Sequence, residues 1–129
     1  MSNQEIINKT VEFVKITLAK AEGAHDRWHI FRVWNLSKHI AESENVDLFT
    51  VELGSLLHDI ADAKFHNGDD TIGPRLAGEF LQSINVEPKI IEHVQNIISN
   101  ISFGDGNFEQ KFKSPELDII QDADRLDGL

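Results

Sequence analysis

Val51 to Ala63 reads V-E-L-G-S-L-L-H-D-I-A-D-A, an apolar stretch with an adjacent His58–Asp59 pair in its middle. The stretch reads as a buried helix. An unpaired carboxylate or imidazolium buried in such a helix costs several kcal/mol, so each needs a hydrogen-bonding partner or a metal. On a continuous helix the two side chains project about 100° apart and can converge on one cation at the edge of the helix face. Asp62 then lies one turn further on, on the same side.

Helical spacing continues on either side. Ile6, Ile7, Val11, Val14 and Leu18 predict a first amphipathic helix over Asn3 to Glu22, stopped at Gly23. Asp26 is placed to cap a second helix running to about Ser43, with His29, Val33, Leu36 and Ile40 in one stripe. Asp47 or Leu48 opens the third, through about Asp62. His66 to Asp70 is polar and glycine-bearing and reads as a loop. A fourth helix is expected over Gly73 to Ser83, with Pro74 early, and a fifth over Pro88 to Ile101. Phe103 to Lys113 is a second loop, and Ser114-Pro115 opens a sixth helix with Leu117, Ile120 and Asp124 on one stripe. No segment alternates with period two for long enough to make a strand. The expected fold is therefore all-α, a compact bundle of about six helices forming one domain over residues 1–129.

A chain of 129 residues buries roughly two-thirds of its unfolded surface. Without cysteine it has no disulfide, thiolate site or cysteine nucleophile, so a metal would be held by nitrogen and oxygen ligands. Twenty-two acidic against 12 basic residues give a net charge of −10, which argues against a surface that grips a nucleic-acid polymer. A small phosphorylated substrate stays open, held by a metal and a few cations among His29, Arg32, Lys64 and Arg75. No cationic leader precedes an apolar run, and nowhere do 18 uncharged apolar residues occur together, so the expectation is a cytoplasmic protein without a membrane partner.

His29 and Asp124 thus share the peculiarity of His58 and Asp59, each an ionisable group on an otherwise apolar stripe. If three helices bring the four together, they form an N₂O₂ ligand set for one divalent ion, of the kind that suits Mn²⁺, Fe²⁺, Co²⁺, Ni²⁺ or Zn²⁺, with Mg²⁺ as the hard alternative.

The segments H-D-R-W-H-I-F-R-V-W around His29, L-L-H-D-I-A-D-A-K around His58 and Asp59, I-I-S-N-I-S-F from Ile97, and Q-D-A-D-R-L-D around Asp124 together resemble the HD-domain metal-dependent phosphohydrolases, in particular bacterial nucleotide pyrophosphohydrolases. That resemblance implies that His29, His58, Asp59 and Asp124 hold the metal. It gives Asp62 the part of orienting or deprotonating the attacking water, which suits a carboxylate one turn from the ion. Arg32 and Lys64 are candidates for phosphate oxygens, and Asn100 and Ser102 for the cleft wall. His66 and His93 read as ordinary loop and helix-surface histidines, with a leaving-group or second-metal role as the alternative. The implied reaction is hydrolysis of a nucleotide phosphoester or phosphoanhydride, first of all pyrophosphate release from a nucleoside triphosphate. The alternatives are cyclic-nucleotide or alarmone hydrolysis, and a nucleotide-sensing domain with a vestigial metal site. Members of this subgroup usually continue for several helices beyond the position of Asp124, so the chain is expected to be an N-terminal fragment or an unusually short version.

Overall fold

The computed structural model describes residues 1–20, 27–61, 71–101 and 112–128. These hold six α-helices: α1 (Asn3–Lys20), α2 (Arg27–Ala41), α3 (Leu48–Leu57), α4 (Ile72–Ser83), α5 (Pro88–Asn100) and α6 (Pro115–Asp127). No strand occurs among the described residues, and the all-α expectation holds.

Helix α3 is the axis of the bundle, in contact with α1, α2, α5 and α6. Its Val51, Leu53, Leu56 and Leu57 are fully buried, and side chains of this size each contribute about 1.5–3 kcal/mol when taken out of water. Gly54 permits a close approach, since a Cβ there would stand 2.7 Å from Ile120 Cδ1 of α6 and 3.3 Å from Ile97 Cδ1 of α5. Asp47 caps α3 as expected, accepting from the Phe49 amide and the Thr50 hydroxyl. Ser114 caps α6 by accepting from the Leu117 amide at 3.1 Å. Between α4 and α5 the chain reverses through Asn85 at φ 62°. There the Val86 amide reaches back to the Leu81 carbonyl and the Asn85 amide to that of Gln82, a Schellman closure with asparagine in the left-handed position usually given to glycine.

Two expectations need correction. Helix α3 ends at Leu57, and His58 to Ala61 form a turn rather than more helix, with the Ile60 amide bonded to the Leu57 carbonyl at 3.3 Å. His58 and Asp59 therefore stand at the end of the buried helix, where a turn can aim two adjacent side chains at one place. On α2 the fully buried row is Ile30, Val33, Ser37 and Ala41, and the row of His29, Leu36 and Ile40 lies on its shoulder, half-buried. A histidine on that shoulder keeps an apolar flank and still reaches a site open to solvent. The expected cap at Asp26 and the stop at Gly23 lie outside the described residues.

Candidate functional site

The C-terminal turn of α3 meets the first turn of α2 and the last turns of α6 at one end of the bundle. His29, His58 and Asp59 each present a ligand-type atom there, all within 4.8 Å of one another. Asp124 closes the group from α6, its Oδ1 lying 3.0 Å from His29 Nε2 and 3.7 Å from His58 Nε2. The imidazole rings of His29 and His58 stand edge to face, 5.8 Å between centroids.

His58 is buried and its ring is oriented by the backbone, Nδ1 donating to the Ser55 carbonyl at 2.6 Å. That bond leaves Nε2 with its lone pair directed into the group, and among the described residues Nε2 has no hydrogen-bond partner. Buried polar atoms are seldom left so. Asp124, at 3.7 Å, is too distant for a hydrogen bond and acts through its charge. Burial by itself pushes the His58 imidazole down, but Asp124, Asp59 and the Ser55 carbonyl together outweigh it and leave the group above its ordinary value. Asp124 is held below the usual carboxylate range, first by His58 and then by His29, against the effect of partial burial.

Asp127, which the sequence did not single out, lies one turn beyond Asp124. Its Oδ2 is 2.5 Å from His29 Nδ1, and its two oxygens also accept from Arg32 Nε at 2.7 Å and Nη2 at 3.2 Å. Arg32 lowers the Asp127 carboxyl below its ordinary range, and His29 adds to this. Arg32, expected at phosphate oxygens, thus has two of its donors engaged by a carboxylate.

The remaining candidates separate. Asp62, Lys64, His66 and Ser102 lie outside the described residues. The argument that set Asp62 one helical turn above Asp59 loses its premise, since α3 ends at Leu57. Asn100 is buried at the end of α5, its amide donating to the Asn96 carbonyl at 2.7 Å. His93 is an interhelical tie, its Nε2 2.8 Å from Ser114 Oγ and 3.7 Å from Glu116 Oε1. Asp124 stands ten positions after Ser114, about 15 Å along the α6 axis, so His93 is remote from the cluster. Arg75 is exposed and near Glu79 on α4. A groove of about 460 Å³ lined by Val11, Lys15, Trp28, Phe31 and Trp34 touches none of the four clustered residues.

The cluster fits a divalent cation on its own chemistry. Two donors each about 2.1 Å from one ion lie about 3–4 Å apart, which is the spacing of Asp124 from the two histidine nitrogens. A buried imidazole nitrogen with no partner among the described residues, beside two carboxylates, is the kind of donor set such an ion takes.

A family model described as "HD domain" matches residues 28–129. The uncharacterized protein YpgQ of Bacillus subtilis strain 168 is 34% identical over 120 residues, covering 91% of this chain and 57% of that protein. Among solved structures, an HD-superfamily hydrolase from Bacillus thuringiensis superposes with a TM-score of 0.81 at 36% identity, over 99% of this chain and 60% of that one. Bacillus subtilis YpgQ in complex with ADP superposes at 0.78 with 32% identity, over 99% of this chain and 61% of the other. The chain therefore spans about three-fifths of the length of the relatives it matches. No helix among the described residues is long and apolar enough to cross a membrane.

Proposed function

Because the chain belongs to the HD domain family, we propose that it is a metal-dependent hydrolase of a nucleotide phosphoester or phosphoanhydride, with nucleoside triphosphates the first substrates to try. The observation that carries the reading is the buried Nε2 of His58, without a hydrogen-bond partner among the described residues and facing a second imidazole and two carboxylates. His29, His58, Asp59 and Asp124 are assigned to hold one divalent ion, with Mn²⁺, Fe²⁺, Co²⁺, Ni²⁺, Zn²⁺ and Mg²⁺ the candidates. When bound, such an ion supplies Lewis acidity toward a phosphoryl oxygen and toward the attacking water. The nucleotide assignment draws on the ADP held by YpgQ.

Each residue then has a task. Asp62 accepts the proton of the attacking water, and Lys64 meets phosphate charge. Both assignments rest on the resemblance of L-L-H-D-I-A-D-A-K to the family pattern. Asn100 supports the cleft wall from the end of α5. The engagement of Arg32 by Asp127 gives it a role behind His29 in place of one at the phosphate.

Metal analysis of the purified protein, followed by a nucleotide panel scored for phosphate and pyrophosphate release, tests the proposal. One bound first-row divalent ion and metal-dependent release from at least one nucleotide are expected. A protein that takes up no divalent ion, or that takes one up and hydrolyses no phosphate ester or anhydride, contradicts it. Within that assay Asp62→Asn should keep the metal content of the parent and lose about 10²–10⁴-fold in turnover, the usual contribution of a general base. Metal loss equal to that of Asp59→Asn would remove the assigned role.

A further inference from the structure

We infer that Asp127 and Arg32 are a positioning pair that sets the metal affinity of the centre by holding His29 with its Nε2 lone pair presented to the ion. The inference rests on the divalent-metal reading above and deepens it. Two histidines serve the cluster, and each must carry its hydrogen on Nδ1 if Nε2 is to donate. For His58 the backbone enforces this, since the Ser55 carbonyl 2.6 Å from Nδ1 can only accept. For His29 no such carbonyl faces Nδ1 among the described residues. Its Nδ1 instead faces a carboxylate 98 residues away in sequence, Asp127 Oδ2 at 2.5 Å.

That carboxylate is itself anchored. Arg32 holds one oxygen through Nε at 2.7 Å and the other through Nη2 at 3.2 Å, a planar fork that fixes the orientation of the carboxylate plane. Arg32 stands one turn after His29 on α2, and Asp127 one turn after Asp124 on α6. The two helices therefore form two rungs, His29 to Asp124 and Arg32 to Asp127, with the His29–Asp127 bond as the diagonal. A carboxylate behind a ligating imidazole selects the tautomer, stops the ring from turning and strengthens the donor. The Asp127 side chain is only 9% exposed, whereas that of Arg32 is 53% exposed. The strength of the centre is thereby connected to a cation at the protein surface. A simple tie between α2 and α6 would give the same contacts, but it would leave the metal and the His29 ring unaffected when broken.

The test uses the full chain with Mn²⁺ alone as the titrant, and the zinc-loaded protein for nuclear magnetic resonance of the His29 ring. Asp127→Asn should bind Mn²⁺ about 10–100-fold more weakly, shift or abolish the His29 Nδ1–H signal, and leave the metal-free protein folded. Arg32→Gln should weaken binding in the same direction by less, and should add little to Asp127→Asn because its effect runs through that carboxylate. Parent-like Mn²⁺ affinity in Asp127→Asn, or an Arg32→Gln effect of undiminished size in the Asp127→Asn background, would overturn the pairing. Should Asp127→Asn fail to fold, Arg32→Gln alone decides, and unchanged affinity with an unchanged His29 signal overturns the inference. A parent protein that binds no Mn²⁺ or Zn²⁺ overturns the metal reading and this inference with it. Mn²⁺ binding by the parent with an indifferent Asp127→Asn overturns this inference alone.

Discussion

Asp59 and His58 occupy the turn that ends α3, so their replacement removes the proposed metal ligands without removing the apolar faces that hold the helices together. Asp59→Ala is therefore expected to lose divalent-ion binding while its metal-free circular dichroism stays that of the parent. If the variant is unfolded in chelator where the parent is folded, the carboxylate is structural. The ionisable groups also give the metal-free protein a definite pH profile. His58 is raised above its ordinary value of about 6.5, so its contribution to stability is complete below that pH and is lost as pH rises through the folded value. Asp124 and Asp127 are lowered from about 3.8, so their contributions are present above that pH and are lost as pH falls through their folded values. A cation at Nε2 of His58 competes with the proton there, and the gain in Tm given by Mn²⁺ should grow from about pH 5.5 to about pH 8. Thermal scans with and without Mn²⁺ across that range measure it, and a gain that does not change with pH contradicts the ligand role of His58. At this scale the sequence named His29, His58, Asp59 and Asp124 because each breaks an apolar stripe. Asp127 broke none, lying between the exposed Leu126 and the chain's last glycine, and its partner is 98 residues distant.

Helix α3 shows what hydrophobic spacing could not supply. The apolar run from Val51 to Ala63 carries no glycine or proline near His58 to mark a stop. The helix gives way there to a turn in which His58 Nδ1 bonds the Ser55 carbonyl and Asp59 joins the cluster, a change that hydrophobic spacing does not mark. Capped boundaries were legible where a side chain provides the cap, at Asp47 and Ser114. The reversal after α4 belongs to the same scale. Asn85 takes a left-handed conformation that favours residues without a bulky Cβ, so Asn85→Ala should cost about 1 kcal/mol and Asn85→Gly should be neutral or stabilising in urea unfolding. Equal effects of the two substitutions would deny the conformational cause. Gly54 sets the spacing of α3 from α5 and α6. Overpacking of about 1–3 kcal/mol against Ile120 Cδ1 should exceed the roughly 1 kcal/mol that alanine gains in helix propensity, making Gly54→Ala destabilising. Combined with Ile120→Val, which removes that methyl group, the same change should cost less or become favourable. An undiminished cost would place the strain elsewhere.

Across the molecule, α6 is held at its two ends by different chemistry. At the start, Ser114 caps the helix and meets His93 of α5, while Glu116 accepts from the Asp47 amide at the head of α3. These contacts involve none of the assigned metal ligands. At the finish, Asp124 and Asp127 hold α6 to α2 through His29 and Arg32. Between them Leu117, Ile120 and Ala123 are fully buried. On the proposed ligand assignment an ion would add a further fastening at the finish only, so α6 works as a cantilever whose far end is gripped harder when the ion arrives. Withdrawal of the ion should therefore loosen the protein unevenly in time. Amide protons from Asp124 to Gly128 should exchange with solvent sooner, while those of Ile119 and Ile120 keep their rates.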